Sequence, residues 1–330
     1  RYIINYQVEG FQMKRSYTVL ASDIMMLMPL EENLAQLDYG FDFSKSGTAG
    51  LQFLKIGIGA KETAMGEAVT SLVNDANSVF WNPSGIAYIE NYEVSFSHNS
   101  WLASSKHNSA VFAFPLASFV FAVSAAALQI NDFEETTALM PDGTGRMVSA
   151  GDYVFGLAAA RRFTDRLSIG LQVKYVHEKL DDYSLNNFLF DVGAIYATGF
   201  RDLTLGFSLQ HFGPDMRLLN QDFRTPLLFR LSASDKFVIN EDFIITGAAE
   251  LVHPTDNIEW VNLGLEIQLL KIVALRGGHR INVDEGKWSF GFGLTPPVLG
   301  SISTRIDYAF VLSEKVFDNV HRFSVKIGLN

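Results

Sequence analysis

Apolar and polar residues alternate one for one over much of this chain. Leu203, Leu205, Phe207 and Leu209 take one parity, and Thr204, Gly206, Ser208 and Gln210 take the other. The same beat returns in Ile169–Tyr175, Val261–Leu269, Phe290–Leu294, Ile306–Phe310 and Phe323–Leu329. Successive side chains of an extended strand point to opposite faces, so a period of two predicts strands with one apolar face. Turn residues punctuate the pattern and predict about fourteen strands. They fall at 92–99, 106–115, 118–130, 148–163, 166–179, 186–199, 203–212, 225–234, 242–253, 259–270, 271–282, 285–296, 300–313 and 319–330. Short connectors such as 163–166 and 199–202 sit at one end of the strands, and longer ones, 131–147, 180–185 and 213–224, at the other.

The polar parity carries Lys174, Asp191, Arg230, Glu266, Arg305, Asp307, Arg322 and Lys326 among many Gly and Ser. A soluble sandwich turns such a face to water and its leucines into a core. A membrane barrel turns the leucines to lipid and the polar row inward. Alternation alone admits both. The barrel is favoured because the apolar face persists over nearly every strand and is rich in Phe and Leu. No helix of useful length follows residue 90 to cover it. The expected fold is all-β: a transmembrane antiparallel β-barrel, even in strand number as single-chain bacterial barrels are. Its place is the outer membrane of a Gram-negative-type bacterium, surrounded by outer-membrane lipid. Lys174, Asp191, Arg230, Glu266, Arg305 and Asp307 then line the lumen, either as a filling that balances its own charge or as a selectivity lining.

Composition agrees. Charged residues make up 19%, below the roughly 25% of an average soluble domain. With 27 Phe, 26 Gly and only 9 Pro, the chain suits one large closed sheet better than domains joined by linkers. A formal net charge of −10, with no basic stripe, argues against nucleic acid as a partner. The absence of Cys removes disulfides, thiolate zinc sites and a thiol nucleophile. The nearest approach to an apolar helix, Leu116–Ile130, falls short of the roughly 18 residues a span needs and is interrupted by Ser118, Ser124 and Gln129.

Two regions precede the strands of 91–330. Residues 1–46 read as a leader, in which Met13-Lys14-Arg15 followed by Tyr17–Leu30 has the outline of a signal peptide broken by Asp23 and Pro29. Residues 47–90 read as a plug, or hatch. Ala60, Ala64, Ala68 and Leu72 have helical spacing. Asn82-Pro83 favours a turn, and Gly85 permits a positive φ just after it. Asp75, Phe80, Trp81, Asn82, Pro83 and Gly85 form the plug motif, with Phe80 and Trp81 seeking an apolar place in the mouth or lumen. The alternative is a capping helix and turn beneath a sheet.

These residues carry a resemblance. GTAGLQFLKIGIGAKETAMGEA (47–68) and NDANSVFWNPSGIA (74–87) resemble the opening of PorV/PorQ-type outer-membrane proteins. EVSFSHNSW (93–101), ARRFTDRLSIGLQVKYVHEKL (160–180), FDVGAIYATGF (190–200) and LTLGFSLQHFGPDMR (203–217) extend it over roughly 47–330. That family is similar in fold to the FadL long-chain fatty acid transporters, which implies a fourteen-strand barrel with an N-terminal hatch. PorV-type members imply a role in type IX secretion, binding the C-terminal domain of exported cargo or a translocon through outer loops. FadL-like relatives imply passage of hydrophobic molecules. Lys61, Glu62 and Glu67 depart from the small residues common in the family's first helix.

No catalytic chemistry emerges. The seven His are scattered and form no HxxxH pair. Gly57-Ile58-Gly59 opens like a dinucleotide fingerprint, but its sixth position is Glu62 and no βαβ context follows. Ser97 and His98 are strand neighbours that face opposite sides, so no triad forms. Asp132, Glu134 and Glu135 open an acidic loop that suits solvent better than calcium. The expectation is a non-enzyme without cofactor or metal. The first reading is a secretion partner that engages cargo or translocon through 131–147, 180–187 and 213–224, with Phe133, Met140, Leu218 and Leu219 as contacts. The second is a transporter of a hydrophobic ligand, with a pocket between Phe80, Trp81 and the barrel wall. The third is a soluble β-sandwich binding module.

Overall fold

The computed structural model describes residues 47–218, 220–240, 242–313 and 317–329. The leader and Leu219 lie outside them. Fourteen antiparallel strands close into a barrel. They are β1 Tyr92–Ser100, β2 Lys106–Leu116, β3 Phe119–Gln129, β4 Ala150–Arg162, β5 Leu167–Leu180, β6 Tyr183–Ala197 and β7 Thr204–Phe212. The second half comprises β8 Leu228–Asn240, β9 Phe243–Pro254, β10 Trp260–Leu269, β11 Val273–Ile281, β12 Trp288–Leu294, β13 Ile302–Val311 and β14 Val320–Leu329. Each strand pairs with its sequence neighbours. β1 closes on β14, from Tyr92 opposite Leu329 to Ser100 opposite His321.

Exposure settles which face meets oil. On β7, Leu205 and Phe207 are 40% and 42% exposed, while Ser208 and Gln210 are buried at 0% and 1%. Tyr153, Phe155 and Leu157 on β4, Leu171 and Val173 on β5, and Phe290 and Phe292 on β12 are likewise exposed. A continuous apolar exterior of this extent is not left to water by a soluble monomer. From Asn186 to Tyr196 on β6, a rise of about 3.3 Å per residue and a tilt of about 40° give a span of about 25 Å, the height of a membrane barrel's apolar band.

The connectors depart from expectation in one place. β5 and β6 are joined by Asp181-Asp182 alone, so 180–185 is not a long loop and 183–187 is strand. Cross-strand pairing from Leu180–Tyr183 onward leaves no slack there. The long connectors, 130–149 and 213–227, each carry a small ribbon: Phe133–Glu134 with Met147–Val148, and Met216–Leu218 with Gln221–Phe223. Both lie at the end of the barrel opposite Tyr92 and Leu329.

Residues 49–90 occupy the lumen as short turns of helix: Gln52–Lys55, Ala60–Ala64, Ala76–Phe80 and Pro83–Tyr88. The longer helix implied by Ala60, Ala64, Ala68 and Leu72 does not form. Gly66 and Glu67 take φ of 64° and 66°, which ends the α-helix at Ala64. Ala60, Ala64 and Ala68 are nevertheless fully buried, so their small size serves close approach to the wall. The core lies between this hatch and the inner wall, around Leu51, Met65, Trp81, Ile86, Leu189 and Leu228.

Candidate functional site

The hatch rests on bare wall backbone at several points, Gly264 and Gly278 on the far side included. A Cβ on Gly170 would lie 2.4 Å from the Pro83 carbonyl carbon, and one on Gly206 would lie 2.5 Å from Thr70 O. These inner-face positions must be glycine for the hatch to seat. Asn82 then ties the seat together. Its Nδ2 donates to Thr70 O (2.8 Å) and Ala194 O (3.2 Å), and its Oδ1 accepts from Ser84 N (3.2 Å) and Ser84 Oγ (2.7 Å). All the hydrogen-bonding capacity of this buried amide is used. Pro83 opens the following 3₁₀ turn. Gly85 lies inside that turn without a positive φ. It is needed for space, because a Cβ there would meet Val73 O at 2.5 Å.

The other side is held by charge. Asp75 Oδ2 accepts from Arg305 Nη2 at 2.8 Å and lies 3.5 Å from Lys326 Nζ and 4.0 Å from Lys61 Nζ. Arg305 also reaches Asp307 (2.7 Å), which binds Arg276 (2.7 Å), which binds Glu266 (2.6 Å). Although burial opposes it, the cations Lys326, Lys61 and Arg305 hold the Asp75 carboxyl well below its ordinary value. Glu62, fully buried next to this network, has no hydrogen-bond partner on either oxygen. Burial, and then the Asp75 charge, push its carboxyl up to about 7.

A cavity of about 40 Å³ lies between the hatch and the β2–β8 wall, bordered by Phe53, Ile58, Phe80, Trp81, Ala126 and Val154 and by the polar Gln172, Lys174, Gln210, His211 and Arg230. Trp81 donates from Nε1 to Ile58 O (2.8 Å), and the Arg230 guanidinium sits 5.0 Å from the centre of its ring. Arg230 pairs with Glu250 at 2.8 Å and donates from Nε to Gln210 Oε1 at 2.9 Å. Gln210 in turn donates to Phe80 O and Trp81 O. Lys174 pairs with Asp191 (2.7 Å) and, having no acceptor of its own, donates to His211 Nδ1 (2.7 Å). His211 sits in a β-bulge, with φ of 64° and a register shift between Phe190 and Val192.

All six lumen positions read from the sequence therefore face inward and are paired. The pairs fall into separate groups: Lys174–Asp191, Arg230–Glu250, and Glu266–Arg276–Asp307–Arg305. Parity could also have found Glu250, Gln210 and Arg276, which share the polar face. Glu250 is central to the site, accepting from Val69 N (3.1 Å) and Thr70 N (2.9 Å) of the hatch. Nothing in the pattern distinguished it from other inward charges.

The loop residues separate. Phe133 and Met140 are exposed at 52% and 55%, beside Leu139 at 94%. Leu218 is half-buried, because residues 213–218 and 220–227 fold back on the hatch. Gly50 N donates to Arg224 O (3.0 Å), and Met216 packs with Leu51 and Phe53. In the acidic loop, Glu134 accepts from Gly145 N (2.7 Å), and Glu135 accepts from Thr144 Oγ1 (3.0 Å).

Residues 39–182 match the model of an uncharacterised protein family, UPF0164, over less than half of the chain. No curated protein matches the sequence. In fold the chain is similar to a class of outer-membrane channels. The Pseudomonas putida toluene transporter TodX superposes with a TM-score of 0.61 at 11% identity, over 83% of this chain and 98% of that one. The Ralstonia pickettii toluene transporter TbuX gives 0.56 at 11%, over 82% and 97%. A Pseudomonas aeruginosa FadL homologue gives 0.50 at 11%, over 80% and 96%. These likenesses show the FadL-type barrel. The finer kinship with PorV and PorQ is not what they show.

Proposed function

We propose that this protein is a non-enzymatic outer-membrane channel for small hydrophobic molecules, with the hatch as its gate. The observation that carries the reading is the cavity between a non-covalently seated hatch and the wall, apolar where Phe80 and Trp81 border it and polar toward Lys174, His211 and Arg230. The toluene transporters of the same fold support it. At about 40 Å³ the cavity holds little more than water, so passage requires the hatch to move. Ser71 Oγ and Ser232 Oγ stand 2.9 Å apart across the hatch–wall boundary, and the chain has no Cys. A Ser71→Cys, Ser232→Cys pair therefore offers a lock. In proteoliposomes, oxidation should cut uptake of an apolar solute such as toluene at least tenfold, with recovery on reduction. Equal uptake by locked and unlocked barrels would sink the gate.

A second reading rests on the hairpin bearing Leu139, Met140 and Phe133. Their exposure above the mouth suits a protein partner, such as the C-terminal domain of secreted cargo or a translocon. A co-purifying polypeptide lost on Met140→Ser would favour it.

A further inference from the structure

Five of the seven histidines face outward. His98, His177, His253, His279 and His321 share strand parity with Phe96, Val173, Leu251, Leu275 and Phe323, which are exposed on the lipid side. Hydrocarbon offers a ring nitrogen no partner. An outward imidazole, with its apolar body and polar tip, therefore marks the level where headgroups begin, as the Tyr and Trp of a girdle do. The rings are tied into such a girdle. His321 Nδ1 meets Tyr308 OH, His98 Nδ1 meets Asn108 Oδ1, and His253 Nδ1 meets Glu259, each at 2.7 Å. His279 lies over Trp288 with ring centres 4.0 Å apart, and His177 shares Asn186 with the Tyr175 hydroxyl.

Register gives their levels. Followed from partner to partner, His98 leads through Asn108, Ala127 and Tyr153 to His177 and Asn186, near the outer end of β6. The other way it leads through Phe323, Tyr308, Phe292 and Leu275 to Ile245 and Phe237, near the inner end of β8. The line climbs around the barrel as strand tilt requires, by about 3 Å, or about 1.2 residues, for each strand crossed. On β14, β11 and β9, His321, His279 and His253 stand two, four and eight residues above this line. There the line has fallen one, four and six strands, so all three are level with His98 to within about one residue. At that level the opposite wall, β4–β6, shows lipid only Leu157, Val173 and Val192. Its own polar girdle of Tyr153, His177 and Asn186 lies about 12 Å higher. The inner edge shifts the same way. Arg161 on β4, outward beside Phe119 and Phe163, is level with Leu275 in the apolar stripe of β11. On β13 and β14 the exposed apolar residues run lower still, to Ile302 and Leu329.

We infer that the barrel stands tilted in the outer membrane, with the imidazole row of β9–β1 seated among the headgroups of the outer leaflet. A membrane thinned along one side would bring its two edges together there. Here both edges move the same way, which is the mark of a lean. A shift of about 10 Å across a fourteen-strand barrel about 28 Å wide gives a tilt of about 20°. The lean also levels the mouth, because β4–β6 reach highest and are the strands it lowers. In His98, His253 and His321 the Nδ1 atom is engaged within the protein, which leaves Nε2 for a headgroup. None of this depends on the channel reading.

The chain has no Cys, so single nitroxide labels can report depth without background. The test uses the full barrel in phosphatidylcholine vesicles, with depth read from the label's accessibility to oxygen against a nickel chelate. His279→Cys and Val173→Cys are level about the barrel axis, yet the label at 173 should lie about 10 Å deeper in hydrocarbon. Arg161→Cys and Leu275→Cys are also level, and the label at 275 should be the deeper by a similar amount. Equal depths in the first pair overturn the tilt. A difference in the first pair with none in the second also overturns it, in favour of a thinned leaflet along β9–β1. Anchors at the interface set tilt, so replacing His253, His279 and His321 together by Leu should bring the label at 173 about 5 Å nearer the headgroups. Leu suits an outward strand position, so the barrel should still fold. A label at 173 that does not move overturns the seating of the imidazole row.

Discussion

The two sides of the hatch are built differently. Toward β2–β7 the contact is apolar and held by neutral hydrogen bonds: Ile86, Val79 and Ala76 pack on Val111, Val120 and Ala158, Gln210 donates to Phe80 O and Trp81 O, and Pro83 lies on the bare backbone at Gly170. Toward β11–β14 charge is added to close backbone contact: Asp75 reaches Arg305 and Lys326, Arg322 reaches Thr63, and Gly66 lies on the bare backbone at Gly278. Backbone-to-backbone packing has no second arrangement, whereas an ion pair can exchange partners or take up water. We expect the apolar side to act as the anchor and the charged side as the part that yields.

The largest effect is expected from attacking the anchor. Gly170→Leu puts a side chain where Pro83 and Ser84 lie, so the hatch cannot seat. Single-channel recording should show a barrel that is persistently open, with conductance up at least tenfold; a closed barrel would refute the anchor. Next comes the yielding side. Asp75→Asn removes a buried carboxylate shared by several cations, a change worth roughly 3 kcal/mol. Hydrogen exchange of 60–75 should speed up about a hundredfold while the strands stay protected. Uniform change across hatch and strands would erase the distinction.

A smaller effect follows from pH. The Glu62 carboxyl rises from its ordinary 4.5 to about 7, so the seated hatch favours the protonated acid. Its contribution is complete below about pH 4.5 and is lost as pH rises through 7. Exchange of the hatch should quicken over that window, and Glu62→Gln should flatten the profile. A pH profile unchanged by the substitution would remove Glu62 from the account. The smallest effect is expected at Leu139→Ser, far from both sides, which should shift barrel stability by under about 0.5 kcal/mol in thermal unfolding.

The strands were legible because their period of two is a direct consequence of a wall with lipid on one side. Even so, β8 runs on to Asn240 where the pattern stopped at 234, since inward Lys236 and outward Phe237 continue a beat that Asp235 obscures. The hatch was legible as a region and not as a shape. Ala60, Ala64 and Ala68 mimic a helical stripe, but they are small because the wall is close. That reason depends on residues such as Ser289 and Ser324, more than two hundred positions away. The pairing of Arg230 with Glu250 depends on register, which parity alone does not specify.

The hatch also lies across the seam where the two ends of the sheet meet. Ala60 N donates to Ser324 Oγ on β14 (2.8 Å), and Ala76 N donates to Glu93 on β1 (3.0 Å). The hatch therefore ties the first strand to the last where the sheet closes. The hatch thus bridges the joint of the sheet as well as filling the lumen, and a chain that lost it would leave Arg322 there without its Gly57 and Thr63 acceptors.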